Sequence, residues 1–301
     1  MSFTVLQGAV EQGFIYGLVA LGLYLSYRTL DIADLTTDSS FTLGCACSAV
    51  FTLMGHPVLG LLVAMLAGAL AGSVTAVLQT KLGVQPILAG IITMTALYSI
   101  NLMVMGGKAN LPMLKAANVY TAFESLFGSY GKLIGSLLIT ALVGALLVLF
   151  LRTQLGLSLR ATGDNRDMVS ASSINPAFTT TVGLCISNAM VALSGAMLAQ
   201  YQKFSDVSLG TGMVVIGLAS LIIGEVIIGR GGIVRGVLAA VLGAVIYRII
   251  IAAALTSNVN ASNLKLVSAV IVAAAISYPA IRDKIVFYKL RKAGEKDADP
   301  Q

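Results

Sequence analysis

Residues 58–80 read VLGLLVAMLAGALAGSVTAVLQT, a run of 23 residues without a charged side chain. About 20 consecutive apolar residues in helical conformation span the hydrocarbon core of a bilayer. Further apolar runs flank this one at residues 9–27, 39–54, 87–106, 133–151, 178–200, 213–228, 235–254 and 264–281. The sequence therefore predicts an all-α, polytopic integral membrane protein with about nine transmembrane helices, in a range of eight to ten.

The composition agrees with a membrane protein and excludes several other classes. Of the 301 residues 57% are apolar and 11% are charged, and the mean hydropathy is +0.91. Soluble domains carry about 25% charged residues, so a soluble enzyme, a nucleic-acid-binding protein and a disordered chain are excluded. One histidine and three cysteines in apolar runs suggest neither a catalytic set nor a metal site. The sequence also lacks a phosphate-binding Gly-x-x-x-x-Gly-Lys loop. We therefore expect no enzyme activity, cofactor or metal on this chain.

The distribution of Lys and Arg predicts the orientation, because short cytoplasmic loops are rich in both. Residues 1–281 hold the predicted spans, and residues 282–301 form a basic tail that we place in the cytoplasm. Counting back through nine spans puts most of the remaining basic side chains on the same side. The N-terminus is then extracytoplasmic.

A weak internal repeat accompanies the predicted spans. Val19, Ala20, Leu21 and Asp34 recur 172 residues later as Val191, Ala192, Leu193 and Asp206. Elements that lie five spans apart run in opposite directions, so the sequence predicts an inverted repeat of spans 1–4 and 6–9. Inverted repeats are typical of alternating-access transporters. Chance similarity between apolar segments is the alternative.

Residues 152–177 form the longest polar stretch between spans on the predicted cytoplasmic side. Asp164 or Asn165 can cap a short helix there, and the Asn175-Pro176 pair favours a break before the next span. A short helix across the inner ends of two spans suits the binding of a cytoplasmic partner. An ordinary connecting loop is the alternative.

The motif in this stretch is Gly156-x-x-x-Arg160-Ala-x-Gly163-x-Asn165, followed by Ile174-Asn175. It resembles the coupling-loop signature of ATP-binding-cassette (ABC) importer permeases of the branched-chain amino-acid/ribose type. The chain resembles in particular their tryptophan/tyrosine-type transport permease subgroup, with Ser173 where Gly is usual. Segments 17–27 and 34–39 also resemble the start of the family as a whole, and the segments that carry the resemblance to the subgroup are 80–82, 88–102, 110–112, 198–202 and 223–225.

The resemblance implies a permease subunit in a bacterial plasma membrane, forming a homodimer. Two cytoplasmic ATPases would carry ATP and Mg²⁺, and an extracytoplasmic binding lipoprotein would deliver the substrate. The implied substrate is an aromatic or branched-chain amino acid, and a sugar or nucleoside is the alternative. An ion-coupled secondary transporter is an alternative of a different class. The residues given an ATPase-coupling role by the resemblance are Arg160, Gly163, Asn165, Met168, Ile174 and Asn175.

Polar side chains at span depth are costly, so they are candidates for function. Glu225 either faces the translocation path or forms a structural pair with Arg248 or Arg230. The hydroxyl side chains of one span either line the path or bond to carbonyls of their own helix. The aspartates near the ends of paired spans are gate candidates, with solvated loop charges as the alternative. The candidates for the path or a gate are Asp34, Asp38, Thr93, Thr95, Asn101, Asp206 and Glu225.

Overall fold

The computed structural model of the chain describes residues 2–256 except 115 and 230, together with Leu266, Ala269, Val270, Val272, Ala273 and Ser277. The helices before the long polar stretch are α1 (Phe3–Leu23), α2 (Thr36–Leu53), α3 (Pro57–Thr80), α4 (Pro86–Val104), α5 (Val119–Phe127) and α6 (Gly131–Arg152). Those that follow are α7 (Gln154–Asp164), α8 (Arg166–Ala171), α9 (Pro176–Gln202), α10 (Met213–Ile228) and α11 (Ile233–Thr256). A π-helical extension, Tyr24–Thr29, continues α1, and a 3₁₀ turn, Gly128–Tyr130, joins α5 to α6. Strands β1 (Asn110–Pro112) and β2 (Phe204–Asp206) pair antiparallel.

Eight of the nine apolar runs coincide with helices. Within the described part of the chain, six helical segments are long and apolar enough to cross a membrane: Phe3–Thr29, Pro57–Thr80, Pro86–Val104, Val119–Arg152, Pro176–Gln202 and Ile233–Thr256. Helix α10 is apolar but shorter. The ninth run, 264–281, lies outside the described residues except for six isolated helical positions, and the tail 282–301 lies wholly outside them. The all-helical, polytopic architecture is confirmed, while the count of nine stays a prediction.

Helix α9 lies at the centre of the bundle, where it contacts α1, α2 and α3. These contacts are close because glycines stand at the crossing points. A Cβ on Gly44 of α2 would overlap the carbonyl oxygen of Ala192, and one on Gly68 of α3 would overlap the carbonyl oxygen of Asn188. Lipid tails give apolar helices no hydrophobic reason to associate, so close packing of small residues is the main attraction between them.

Hydroxyl groups of α9 add directed bonds to this packing. Ser187 Oγ donates to the carbonyl oxygen of Gly22 at 2.8 Å, and Ser194 Oγ donates to that of Ile15 at 2.6 Å. Both serines are completely buried. A polar group in a bilayer core has no water to bond, so each hydroxyl is satisfied by a carbonyl of the neighbouring helix. These two bonds join α9 to α1 along a full two turns.

We predict that Gly68→Ala lowers the thermal unfolding temperature of the purified protein and that Gly144→Ala does not. The added methyl at residue 68 overlaps the α9 backbone, a kind of overpacking that costs about 1–3 kcal/mol. At residue 144 the same methyl comes no closer than 3.4 Å to Val237 Cγ1. Thermal unfolding in one detergent measures both variants. Equal unfolding temperatures would contradict the close α3–α9 packing.

Candidate functional site

Helices α7 and α8, joined at Asn165, occupy residues 154–171 and are called here the α7–α8 elbow. Helix α7 begins after Thr153, whose Oγ1 accepts a hydrogen bond from the Gly156 amide at 3.2 Å. Between the helices Asn165 has an extended backbone, and its Oδ1 accepts from the Met168 amide at 3.0 Å. The predicted cap is therefore confirmed at Asn165, which ends α7 and starts α8. The two short helices replace the single one expected here.

The base of the elbow is fixed by close backbone contacts. A Cβ on Gly163 would overlap the carbonyl oxygen of Thr29, in the π-helical extension of α1. Thr162 Oγ1 and Thr179 Oγ1 share a hydrogen bond of 2.8 Å, which ties α7 to the start of α9. Helix α7 is therefore in direct contact with the extension of α1 and with the start of α9.

The tip of the elbow is open to solvent. Residues 164–168 are all exposed, and Met168 presents 56% of its surface. Ile174 is half-buried, and Asn175 caps α9 by accepting from the Ala177 amide at 3.0 Å. Asn165 and Met168 therefore lie where a partner can reach them, Gly163 lies at the base, and Asn175 fixes the start of α9. Their coupling role stays a prediction.

A charged cavity of about 310 Å³ lies beside α7 and contains Arg160, Arg28 and Glu225 in its lining. Arg28 Nε lies 2.9 Å from Glu225 Oε1. Glu225 therefore forms an ion pair with Arg28, a partner that the sequence did not indicate, and its expected pairing with Arg230 stays a prediction. The guanidinium of Arg248 instead lies 4.8 Å from the centre of the Tyr16 ring, and Arg230 lies outside the described residues. The sequence does not indicate Arg28 as the partner because it lies almost 200 residues from Glu225 in the chain.

A second cavity, of about 560 Å³, lies between α2, α4 and the segment that joins β2 to α10. We call it the hydroxyl groove. Asp38 lines it, and its carboxylate accepts from the amides of Gly212 and Val214, both at 2.8 Å, at the start of α10. In the part of the chain that the structure describes, none of its lining residues is Lys or Arg. Its hydroxyl-bearing lining residues are Ser39, Thr42, Thr95, Tyr98, Ser99, Ser208 and Thr211.

The polar residues of α4 divide between two faces of the helix. Thr95 lines the hydroxyl groove and also donates to the carbonyl oxygen of Ile91 at 2.8 Å. The bond to its own helix is therefore present, and a place on the translocation path stays a prediction. Thr93 is buried and accepts from Thr75 Oγ1 at 2.9 Å. Asn101 is also buried, and its Nδ2 donates to the carbonyl oxygen of Ser39 at 3.2 Å. Thr93 and Asn101 therefore hold α4 to its neighbours and do not line the groove.

The structure does not bring the gate candidates Asp34 and Asp206 together. Asp34 is only 1% exposed, and it accepts from the Thr36 amide at 2.9 Å and from Asn188 Nδ2 at 2.6 Å. Asp206 lies in β2 and accepts from the Ser208 amide at 2.8 Å and from the Ser208 hydroxyl. The hydrogen bonds from Ser208 lower the pKa of Asp206. Asp206 fits a loop charge, whereas Asp34 is a buried acceptor, and a gating role stays a prediction for both.

Comparison with known proteins agrees with this architecture. The family described as "Branched-chain amino acid transport system / permease component" matches residues 5–276. A "Tyrosine transport system permease protein" of Clostridioides difficile (strain R20291) is 37% identical over 270 residues, 89% of each chain. An uncharacterized protein of Rickettsia prowazekii (strain Madrid E) is 33% identical over 223 residues, 73% of this chain and 77% of its own.

A more distant relative comes from Methanocaldococcus jannaschii. Its "Probable branched-chain amino acid transport permease protein LivH" is 27% identical over 237 residues, 73% of each chain. No solved structure matches the chain. The family match covers most of the sequence, and the helices fit a multi-pass membrane protein. The chain therefore belongs to the family of branched-chain amino acid transport system permease components.

Proposed function

We propose that the chain is the permease subunit of an ABC importer in a bacterial plasma membrane. In this proposal it acts as a homodimer, two cytoplasmic ATPases bind it, and an extracytoplasmic binding lipoprotein delivers the substrate. The observation that carries the proposal is the α7–α8 elbow, with its exposed tip and a base that leaves no space for a side chain at Gly163. In the proposed mechanism, a displacement of the tip moves the helices at the centre of the bundle.

The mechanism follows from the contacts at the elbow. In this proposal an ATPase binds Asn165 and Met168 at the tip of the elbow, whose base at Gly163 contacts the backbone of Thr29. Nucleotide-driven closure of the ATPases then displaces the ends of α1 and α9 together. Closure biases the permease between its two states only if the ATPases bind one state more tightly than the other. Arg160 lies on the inner side of the elbow, where it lines the charged cavity.

The hydroxyl groove is the proposed path for the solute. Hydroxyl groups replace the hydration of a zwitterion without holding it tightly, and the Asp38 carboxylate has lone pairs left for an ammonium group. The Tyr98 side chain, 55% exposed, offers an aromatic face. Together with the tyrosine permease relative, this favours an amino acid, aromatic or branched-chain. Hydroxyls also bond sugars, so a sugar or nucleoside is the alternative.

An ion-coupled mechanism has less support. It depends on titratable groups that are free to exchange ions at span depth, and Glu225 is the residue that the sequence offers for this role. Glu225 is held by Arg28 at 2.9 Å, and only 9% of its side chain is exposed. We therefore favour transport driven by a partner ATPase.

The proposed architecture includes nine spans and an inverted repeat of spans 1–4 and 6–9. Two hydrogen bonds support it. Ser187 lies 172 residues after Ile15 and donates to the carbonyl oxygen of Gly22. Ser194 lies 172 residues after Gly22 and donates to the carbonyl oxygen of Ile15. This is the offset of the sequence repeat. The helix contacts support it too, since α9 packs on α3 as α1 packs on α11, and α2 packs on α3 as α10 packs on α11. The N-terminus is then extracytoplasmic, and the elbow and the tail 282–301 are cytoplasmic.

We predict that Met168→Asp abolishes co-purification of an ABC ATPase and that Met54→Asp does not. Both methionines are exposed, 56% at residue 168 and 65% at residue 54, which lies in the turn between α2 and α3. The same charge is thus introduced at the elbow and at the predicted opposite side of the membrane. Capture of the tagged chain from its native membrane, followed by identification of bound ATPases, measures the difference. Retention of the ATPase by Met168→Asp, or equal loss from both variants, would contradict the proposed docking site.

We predict that Thr95→Phe blocks uptake while Ile92→Phe leaves it within about twofold of wild type. Thr95 lines the hydroxyl groove, and Ile92 is an exposed residue on α4 outside it. Uptake of radiolabelled tyrosine into cells that express the importer measures this, with leucine and ribose as competitors. Competition by leucine but not ribose supports an amino-acid substrate. Normal uptake by Thr95→Phe at normal expression would rule out the groove as the path.

A further inference from the structure

An apolar groove of about 470 Å³ runs between α6 and α11, over the side of α1. We call it the α6–α11 groove. Its lining includes Leu137, Ala141, Ala145 and Val148 from α6, and Val237 from α11. The hydroxyl of Thr140 is also part of the lining, but it donates to the carbonyl oxygen of Phe14 at 2.9 Å. The described lining of the groove therefore offers no free polar group.

A second cavity, of about 530 Å³, continues the groove at one end. It is lined by Arg152 at the end of α6 and by Gly231, Gly232, Ile233, Val234 and Arg235 around the start of α11. We call it the arginine pocket. Val234 lines both cavities. Among the described residues, no acidic side chain lines the arginine pocket and neither arginine forms a salt bridge.

The dimensions match one leaflet of a bilayer. From Leu137 to Val148 the groove follows α6 for about 16 Å, at about 1.5 Å per residue. This is about half of a hydrocarbon core of about 30 Å. Arg152 follows Val148 by about one helical turn, so the two cations stand where the apolar length ends. An apolar groove as long as one leaflet complements an acyl chain, and the two cations at its end complement a phosphate. Together they match an anionic phospholipid.

We propose that the α6–α11 groove and the arginine pocket together bind one anionic phospholipid. An acyl chain fills the groove, and the phosphate lies between Arg152 and Arg235, near the start of α11. A free phosphate satisfies the arginines but leaves the groove open. A second copy of the chain packed on this same face would bring no anion, since neither α6 nor α11 contains Asp or Glu. Only the assignment to the cytoplasmic leaflet rests on the proposed orientation.

The position of the lipid has a structural consequence. Helix α6 contacts α1 and α11 and leads directly into α7. A lipid in the groove fills the gap between α6 and α11 at the end where the elbow begins. It therefore holds α6 in place and supports the base of the elbow.

The test is native mass spectrometry of the delipidated chain in detergent. The probes are phosphatidylglycerol, phosphatidylcholine with the same acyl chains, and inorganic phosphate. Two arginines at the membrane surface give about a 30-fold preference for the anionic lipid over the zwitterionic one. The Arg152→Gln and Arg235→Gln double variant is expected to lose this preference. A Lys81→Gln and Lys108→Gln double variant, with the same change in net charge at two exposed residues, is expected to keep it.

A separate variant tests the groove. Ala145→Phe fills it and is expected to reduce binding of both lipids, with both arginines intact. Equal binding of the two lipids by wild type, or an unchanged preference in the arginine double variant, would overturn the proposal. So would binding of inorganic phosphate as tight as that of phosphatidylglycerol, or cross-linking of two copies through the exposed Leu142 in place of lipid binding. None of these readouts depends on transport, so failure here is distinct from failure of the importer proposal.

Discussion

The structure depends on direct contact between the backbone of α9 and those of its neighbours. Gly44 and Gly68 remove the side chains that would separate the helices, and Ser187 and Ser194 bond to carbonyls of α1 across the resulting short distance. In a bilayer the hydrophobic effect gives helices no preference for each other over lipid tails. Packing and hydrogen bonds between helices therefore hold the bundle together. A helix with larger side chains along this face could not occupy the centre of the bundle.

This constraint separates a rigid centre from a more accessible edge. In an apolar 18-residue segment of α9, 78% of the residues are buried, compared with 28% in the corresponding segment of α4. The elbow, which has a proposed function, contacts the central helices at their ends. The elbow rests on the extension of α1 at Gly163, and the ion pair of Arg28 with Glu225 joins the same extension to α10. Residues 24–29 thus contact both the elbow and α10.

Hydropathy predicts the apolar helices, because the bilayer imposes a length and an apolar composition that can be read locally. The Asn165 cap is also predictable, since it depends on residues three apart. The contacts between helices are not local. The sequence places Thr93 and Thr95 on one span, but only packing decides that Thr93 bonds to Thr75 while Thr95 faces the hydroxyl groove. For the same reason Glu225 pairs with Arg28, which no spacing in the sequence indicates.

The central claim is that the tip of the elbow touches a cytoplasmic ATPase. A photo-crosslinking amino acid placed at residue 168 in native membranes tests this contact directly, with residue 54 as the matched exposed position. We predict a covalent product with an ABC ATPase from residue 168 and none from residue 54, and a yield from residue 168 that changes when a non-hydrolysable ATP analogue is added. A product from residue 54, or no ATPase product from residue 168 in a chain that inserts normally, would contradict the account.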